Sequence, residues 1–241
     1  MVSLRARLAL GAGYVAIAIV MMGLGSGTSR AEGAPAGSRD YVGEWLTRQG
    51  EVRTWSANFV QTRSLKTLAQ PVKTEGRVWF AAPDRFRWEL GRPAQTLAVR
   101  QSDAVVVHYP RLKRAERYPV TEGSTGPWSQ MLSLLEAGFP KGRKDLDDRF
   151  TVESEVVTNG VVDVALRPRA ASVRRMLPLF RVVLSAEDAS LRATELVFAD
   201  GSSLRNDFTE TQTNAPIEDG MFQLELGPDV KVTEPLTAKR R

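Results

Sequence analysis

Between Arg85 and Leu90 the chain alternates without a break, with Arg85, Arg87 and Glu89 in one set and Phe86, Trp88 and Leu90 in the other. An extended strand has the two-residue period that separates these sets, so the segment forms a strand with one charged face and one broad aromatic face. Pro83 and Asp84 precede it as turn-formers. The residues before them, Thr74 to Phe80, again mix aromatic and β-branched side chains, so the stretch reads as two strands and a tight turn. An aromatic face of this width must be buried. It belongs either to an ordinary sandwich or barrel core or to the wall of a ligand-lined concavity.

The flanking sequence supplies more strands of the same kind. Asp40 is suited to cap a helix carrying Tyr41, Val42, Trp45 and Leu46 on one face and ending near Gly50. Strands follow at Trp55 to Leu65, then through the opening stretch, then at Gln95 to Gln101 and Ala104 to Tyr109, with a turn at Ser102-Asp103. Short connections between consecutive strands make an antiparallel meander. A second series runs from Phe150 to Val157 and Val161 to Arg167, joined by Asn159-Gly160, which is a strong hairpin signal. A short helical excursion with Val173, Met176 and Leu177 precedes strands at Leu179 to Ser185, Leu191 to Ala199 and Ser203 to Thr211. Met221 to Leu226 alternates in part, and the chain ends on the basic Lys239-Arg240-Arg241. About ten or eleven strands with two helical insertions predict a mainly β fold with some helix, a strongly curved antiparallel sheet or half-barrel.

Three segments stand apart from the strand pattern. After Gly126-Pro127, the residues Trp128, Met131, Leu132 and Leu135 recur at helical spacing, and Gly138 ends the run. A single helix inserted between strands covers a sheet face or a barrel end, either as a static plug or as a mobile cover. Lys144 to Arg149 lacks the spaced oxygen ligands and central glycine of a calcium loop and reads as a solvated turn. Arg111, Lys113, Arg114 and Arg117 form the densest basic run. Such a run is usually a solvated strand face or loop; the functional alternative is a docking patch for an acidic partner.

Residues 1–31 have the layout of a cleavable secretory signal: Arg5 and Arg7, an apolar run from Leu8 to Leu24, and Ser29-Arg30-Ala31 as a small-x-small exit. A single membrane anchor is the competing reading, because the apolar run approaches spanning length. The glycines at 11, 13, 23 and 25 favour cleavage, which leaves residues 32–241 as one domain. With no cysteine, an exported chain has neither a disulfide framework nor a lipidation site of its own. The prediction is a soluble, monomeric protein of the periplasm. Arg5, Arg7 and Arg30 supply three of the formal +5 charges with no acid before Glu32, so the exported part is too mildly basic to imply nucleic acid.

Enzyme signatures are missing from the sequence. There is no thiol, no G-x-S-x-G, no H-E-x-x-H and no Walker A loop, and the lone His108 lies in an apolar strand as a structural residue. Scattered carboxylates could still meet in space as a hydrolase pair, with Glu89 as the residue to test. No metal or cofactor is implied.

Trp55 to Gln61, Glu75-Gly76 with Trp79, Pro83 with Phe86-Arg87-Trp88, and Pro93 resemble the opening strands of the LolA family of periplasmic outer-membrane lipoprotein carriers. Asp103 to Pro110, the helix after Pro127, and a closing strand pair with Phe222 and Pro235 extend the resemblance over the exported chain. The resemblance implies an unclosed antiparallel barrel whose concave apolar face is covered by lid helices. Cargo would be acylated lipoproteins, received from an inner-membrane ABC-type release complex and handed to an outer-membrane acceptor lipoprotein. The cavity would be lined by Phe59, Trp79, Phe86, Trp88, Leu90, Leu97, Phe180 and Phe198, with Trp128, Met131, Leu132 and Leu135 in the lid. Ala82 departs from the family pattern, which commonly has an arginine there tying barrel to lid; Arg77 and Arg85 are the nearby candidates to replace it. A carrier or sensor for another lipid on the same fold is the alternative function.

Overall fold

The computed structural model describes residues 39–101, 103–120 and 142–234. The expected signal, the lid helix and the basic tail lie outside them. The described chain forms one twelve-stranded sheet: β1 (Thr54–Ser64), β2 (Val72–Ala81), β3 (Arg85–Leu90), β4 (Thr96–Arg100), β5 (Ala104–Tyr109), β6 (Arg114–Pro119), β7 (Phe150–Thr158), β8 (Val161–Pro168), β9 (Leu179–Ser185), β10 (Leu191–Val197), β11 (Ser203–Thr213) and β12 (Lys231–Thr233). Their spatial order is β12-β6-β5-β4-β3-β2-β1-β11-β10-β9-β8-β7. All pairs are antiparallel except β12 with β6, and β12 and β7 are the two edges, so the sheet is not closed. Three helices accompany it: α1 (Tyr41–Glu51), α2 (Arg143–Arg149) and α3 (Ala171–Arg174).

Two meanders meet at β1 and β11, the longest strands. Phe59 pairs in register with Phe208 across this seam, and Gln61 with Asn206. Asn159 and Gly160 both have positive φ, 50° and 77°, the conformation that a two-residue turn with right-handed strand twist requires.

One face of the sheet carries the core. Ala57, Phe59, Val78, Phe80, Phe86, Trp88, Ala98, Val107, Phe180, Leu196 and Phe208 belong to a single buried cluster. Helix α1 adds Val42, Trp45 and Leu46 to it. The helix begins where the Asp40 carboxylate accepts from the Gly43 amide, and Arg39 fastens that end to the carbonyls of Ala186 and Glu187. Its other end is clipped by Asn214, whose side chain accepts from the Arg53 amide and donates to the Glu51 carbonyl. Helix α1 therefore lies across one end of the concave face.

The segment 143–149 is a helix and not a solvated turn. Leu146 is fully buried, while Arg143, Lys144 and Asp145 each pair with the opposite charge four residues on. Met221 to Leu226 likewise differs from the expected strand. A 3-10 turn spans Asp219–Phe222, and strand geometry resumes only at β12. This segment, a strap, leaves β11, crosses the convex side of the sheet and rejoins it beside β6.

Candidate functional site

Strand register decides which predicted side chains share a face. Val78 pairs with Trp88, and Trp88 with Ala98; Phe80 pairs with Phe86, and Gly76 with Leu90. Phe86, Trp88 and Leu90 therefore stand on the concave face with Phe59, as do Phe180 and Phe198 from the other meander. Five of these six are buried, and Leu90 is partly buried against the cluster.

Phe59 and Trp88 form the centre of the arrangement, with ring centroids 4.0 Å apart and a 34° tilt. They belong to strands separated by β2, and Gly76 on β2 makes the contact feasible. A Cβ at Gly76 would lie 2.1 Å from Phe59 Cζ, so the ring reaches across the glycine. Phe208 meets Phe59 edge-on at 6.3 Å and Trp55 at 5.3 Å, which extends the aromatic surface across the seam.

Trp79 and Leu97 do not share this face, which corrects their placement in the cavity wall. Trp79 pairs with Arg87, and Leu97 with Glu89, so both point to the convex side. Alternation from Val78 and Phe80 already assigns Trp79 outward. Leu97 lies in the run Leu97-Ala98-Val99, which is apolar at every position because both faces of β4 are covered.

The strap lies on the outer side of β3. Arg87 donates to the carbonyls of Met221 and Gln223, and it pairs in register with Val99, which is buried together with Val106. Arg85 lies 5.0 Å over the Phe222 ring and binds Asp219 at 2.5 Å. Arg77 binds Asn58. Neither arginine on the strand turn therefore faces the concave side. Ala82 packs partly buried against the core, with its amide donating to the Arg53 carbonyl. A groove of about 700 Å³, lined in part by Pro83, Arg85, Phe222 and Leu224, runs beside the strap.

The basic run is divided between the faces. Arg117 pairs with Asp103 and Glu234, and Lys113 with Asp229. Arg114 instead binds Glu116 and sits 5.2 Å over the Tyr109 ring. Glu116 pairs with Val107 and so falls on the concave side, where it is 7% exposed and accepts hydrogen bonds from Tyr118 and Tyr109. Burial, with the neighbouring Glu116 charge, raises both tyrosines well above the usual phenol range, so both remain hydrogen-bond donors.

Sequence reading missed this cluster and a second polar set. Gln61 donates to Asn206 at 3.1 Å, and Asn206 pairs with Thr194, all three buried in the concave face. The signal was available as polar residues at inward positions of strands whose other inward residues are apolar. His108 is on the convex side opposite Leu97; burial lowers its basicity. Among the described residues no group of three or more His, Cys, Asp or Glu side chains is placed to hold a metal ion. No helix among them is long and apolar enough to cross a membrane.

Residues 50–225 match the family described as outer membrane lipoprotein carrier protein LolA. An outer-membrane lipoprotein carrier protein of Dechloromonas aromatica is 25% identical over 190 residues, covering 79% of this chain and 84% of the relative. One from Bordetella avium is 26% identical over 217 residues, covering 88% and 94%. Among solved structures, an uncharacterised conserved protein from Thermus thermophilus superposes with a TM-score of 0.48 at 11% identity, covering 79% of this chain and 97% of that one. The family match runs from the end of α1 to the strap, over well more than half of the sequence, and the chain belongs to the LolA family of outer-membrane lipoprotein carriers.

Proposed function

We propose that this chain is a soluble periplasmic carrier that shields the acyl chains of lipoproteins against its concave face and moves them from the inner to the outer membrane. The observation that carries the reading is the largely apolar surface on one side of an unclosed sheet, centred on the Phe59–Trp88 stack. Family membership supports it.

Each methylene removed from water contributes about 0.8 kcal/mol, so a free acyl chain in water is disfavoured by roughly 10 kcal/mol or more. An apolar concavity offsets most of that. Release to a membrane then requires that the site not bind much better than a bilayer does, which suits an open-edged sheet. On this reading the donor is an inner-membrane ABC-type complex and the acceptor an outer-membrane lipoprotein. Residues 128–135 would supply the lid, and the protein works as a monomer without a cofactor.

Depleting the protein tests the proposal. Lipoproteins should accumulate at the inner membrane, and unchanged sorting would refute it. Mass spectrometry of protein purified without detergent should detect acylated lipoprotein; a free glycolipid or isoprenoid instead would redirect the same fold to another lipid pathway.

A further inference from the structure

Trp88 is 2% exposed, and its indole N–H has no hydrogen-bond partner among the described residues. A buried donor left unpaired carries a desolvation cost that native proteins seldom leave standing. Stacking on Phe59 does not relieve it. The two rings are tilted by only 34°, so Phe59 covers the flat face of the indole, whereas the N–H lies in the indole plane.

Register identifies the neighbours of Trp88 along the face, with Val78 on β2 to one side. The row that contains Trp88 continues to Ala98 on β4, Val107 on β5 and Glu116 on β6. Ala98 offers only a methyl group and, like Val107, is fully buried, so on the β4 side of the bicyclic ring the row is a low apolar floor. At the far side, about three strand spacings or ~14 Å away, the floor meets the hydroxyls of Tyr109 and Tyr118. Those hydroxyls are used, since both donate to Glu116. The Trp88 donor is unused.

A plain hydrocarbon chain has nothing to offer an N–H. An acyl chain does, because the ester or amide that joins it to the rest of a lipid ends the hydrocarbon in a carbonyl oxygen with two lone pairs. We infer that the Trp88 indole N–H is the donor that reads this carbonyl, so that it fixes the depth at which a chain is held and favours acyl over alkyl cargo. The inference rests on the acyl-carrier reading above and adds a specificity residue to it. Trp88 then has two separable roles: its ring face packs the core with Phe59, and its edge recognises the cargo.

Two probes of equal chain length separate the roles. Calorimetric titration with 1,2-dioctanoylglycerol, a diester, and 1,2-di-O-octylglycerol, the corresponding diether, measures the value of the carbonyl directly. Wild type should bind the diester about tenfold more tightly, the effect of one well-made hydrogen bond to a buried donor. Trp88→Phe keeps a ring against Phe59 but removes the N–H. It should bind the two probes equally, the smaller ring weakening both alike. Equal binding of the two probes by wild type, or a preference that survives Trp88→Phe, overturns the inference while leaving the carrier reading in place. Failure of wild type to bind either probe refutes the carrier reading and the inference together. If Trp88→Phe does not fold, the indole resonance of Trp88 in 15N-labelled wild type decides: it should move downfield with the diester and not with the diether, and identical shifts with both would overturn the assignment.

Discussion

Gly76→Ala is the smallest change that should disorganise the concave face. The new methyl would lie 2.1 Å and 2.6 Å from Phe59 Cζ and Cε1, and 2.5 Å from the Glu89 carbonyl oxygen. None of these separations is tolerable for a carbon atom, so at least two things must move. The Phe59 ring can rotate away only by leaving Trp88, and the carbonyl can retreat only by separating β2 from β3, where Gly76 pairs with Leu90. Overpacking of a well-filled core costs about 1–3 kcal/mol, and a clash with both a ring and a backbone oxygen places this variant near ~3 kcal/mol. For a domain of this size that corresponds to a fall in Tm of roughly 6–12 °C. Urea unfolding of the wild type, Gly76→Ala, Phe59→Leu and the double variant gives the partition. Leu at 59 removes the ring and leaves the carbonyl clash, so the cycle should show a favourable coupling of about 1–2 kcal/mol. A Gly76→Ala cost below about 0.5 kcal/mol, or additive single effects, would refute the account of how Phe59 reaches Trp88.

Two further outcomes follow from the strap and from α1. Arg87→Ala removes a guanidinium that joins Glu89 to the carbonyls of Met221 and Gln223; it should cost about 1–3 kcal/mol and speed amide exchange across 219–233, and unchanged exchange there would show that the strap is held otherwise. Glu44 is held below its ordinary value of 4.5 by the hydrogen bond from Arg39, so its contribution is present above that value and is lost as pH falls through the lower folded-state value. Glu44→Gln should therefore flatten the loss of stability on acidification below the ordinary carboxylate value of 4.5, and a pH profile identical to wild type would exclude this pair as a source of acid sensitivity.

How far the sequence discloses the molecule depends on whether one or both sides of an element are covered. Strand β3 faces the core on one side and the charged convex surface on the other, so its alternation places Phe86, Trp88 and Leu90 together without a structure. Strand β4 is buried on both sides, so its run of apolar residues carries no directional signal and Leu97 cannot be assigned a face from sequence. Trp79 is a different case: its outward direction was legible from Val78 and Phe80, and its aromatic character outweighed that signal. Helix α2 is too short for periodicity, having one buried leucine in seven residues, but its charges recur at four-residue spacing, which is a helical mark. The strap is illegible for a physical reason. Phe222 is buried at the end of a 3-10 turn by a cation–π contact from β3, and nothing within 221–226 encodes a partner so distant in sequence. The buried Gln61–Asn206 pair depends likewise on the β1–β11 seam, which joins residues 145 positions apart.

The strap also divides the sheet mechanically. It leaves β11, is clamped by two arginines on β3 and ends as a strand on β6, so the first meander is held from outside like a barrel stave under a hoop. Among the described residues the second meander, β7 to β10, has no such hoop, and it terminates in a nine-residue edge. Any change in the curvature of the sheet is therefore unequally shared. Among the described residues, the half that carries Trp88 and Phe86 is therefore the one braced from outside, and the half that carries Phe180 and Phe198 is not.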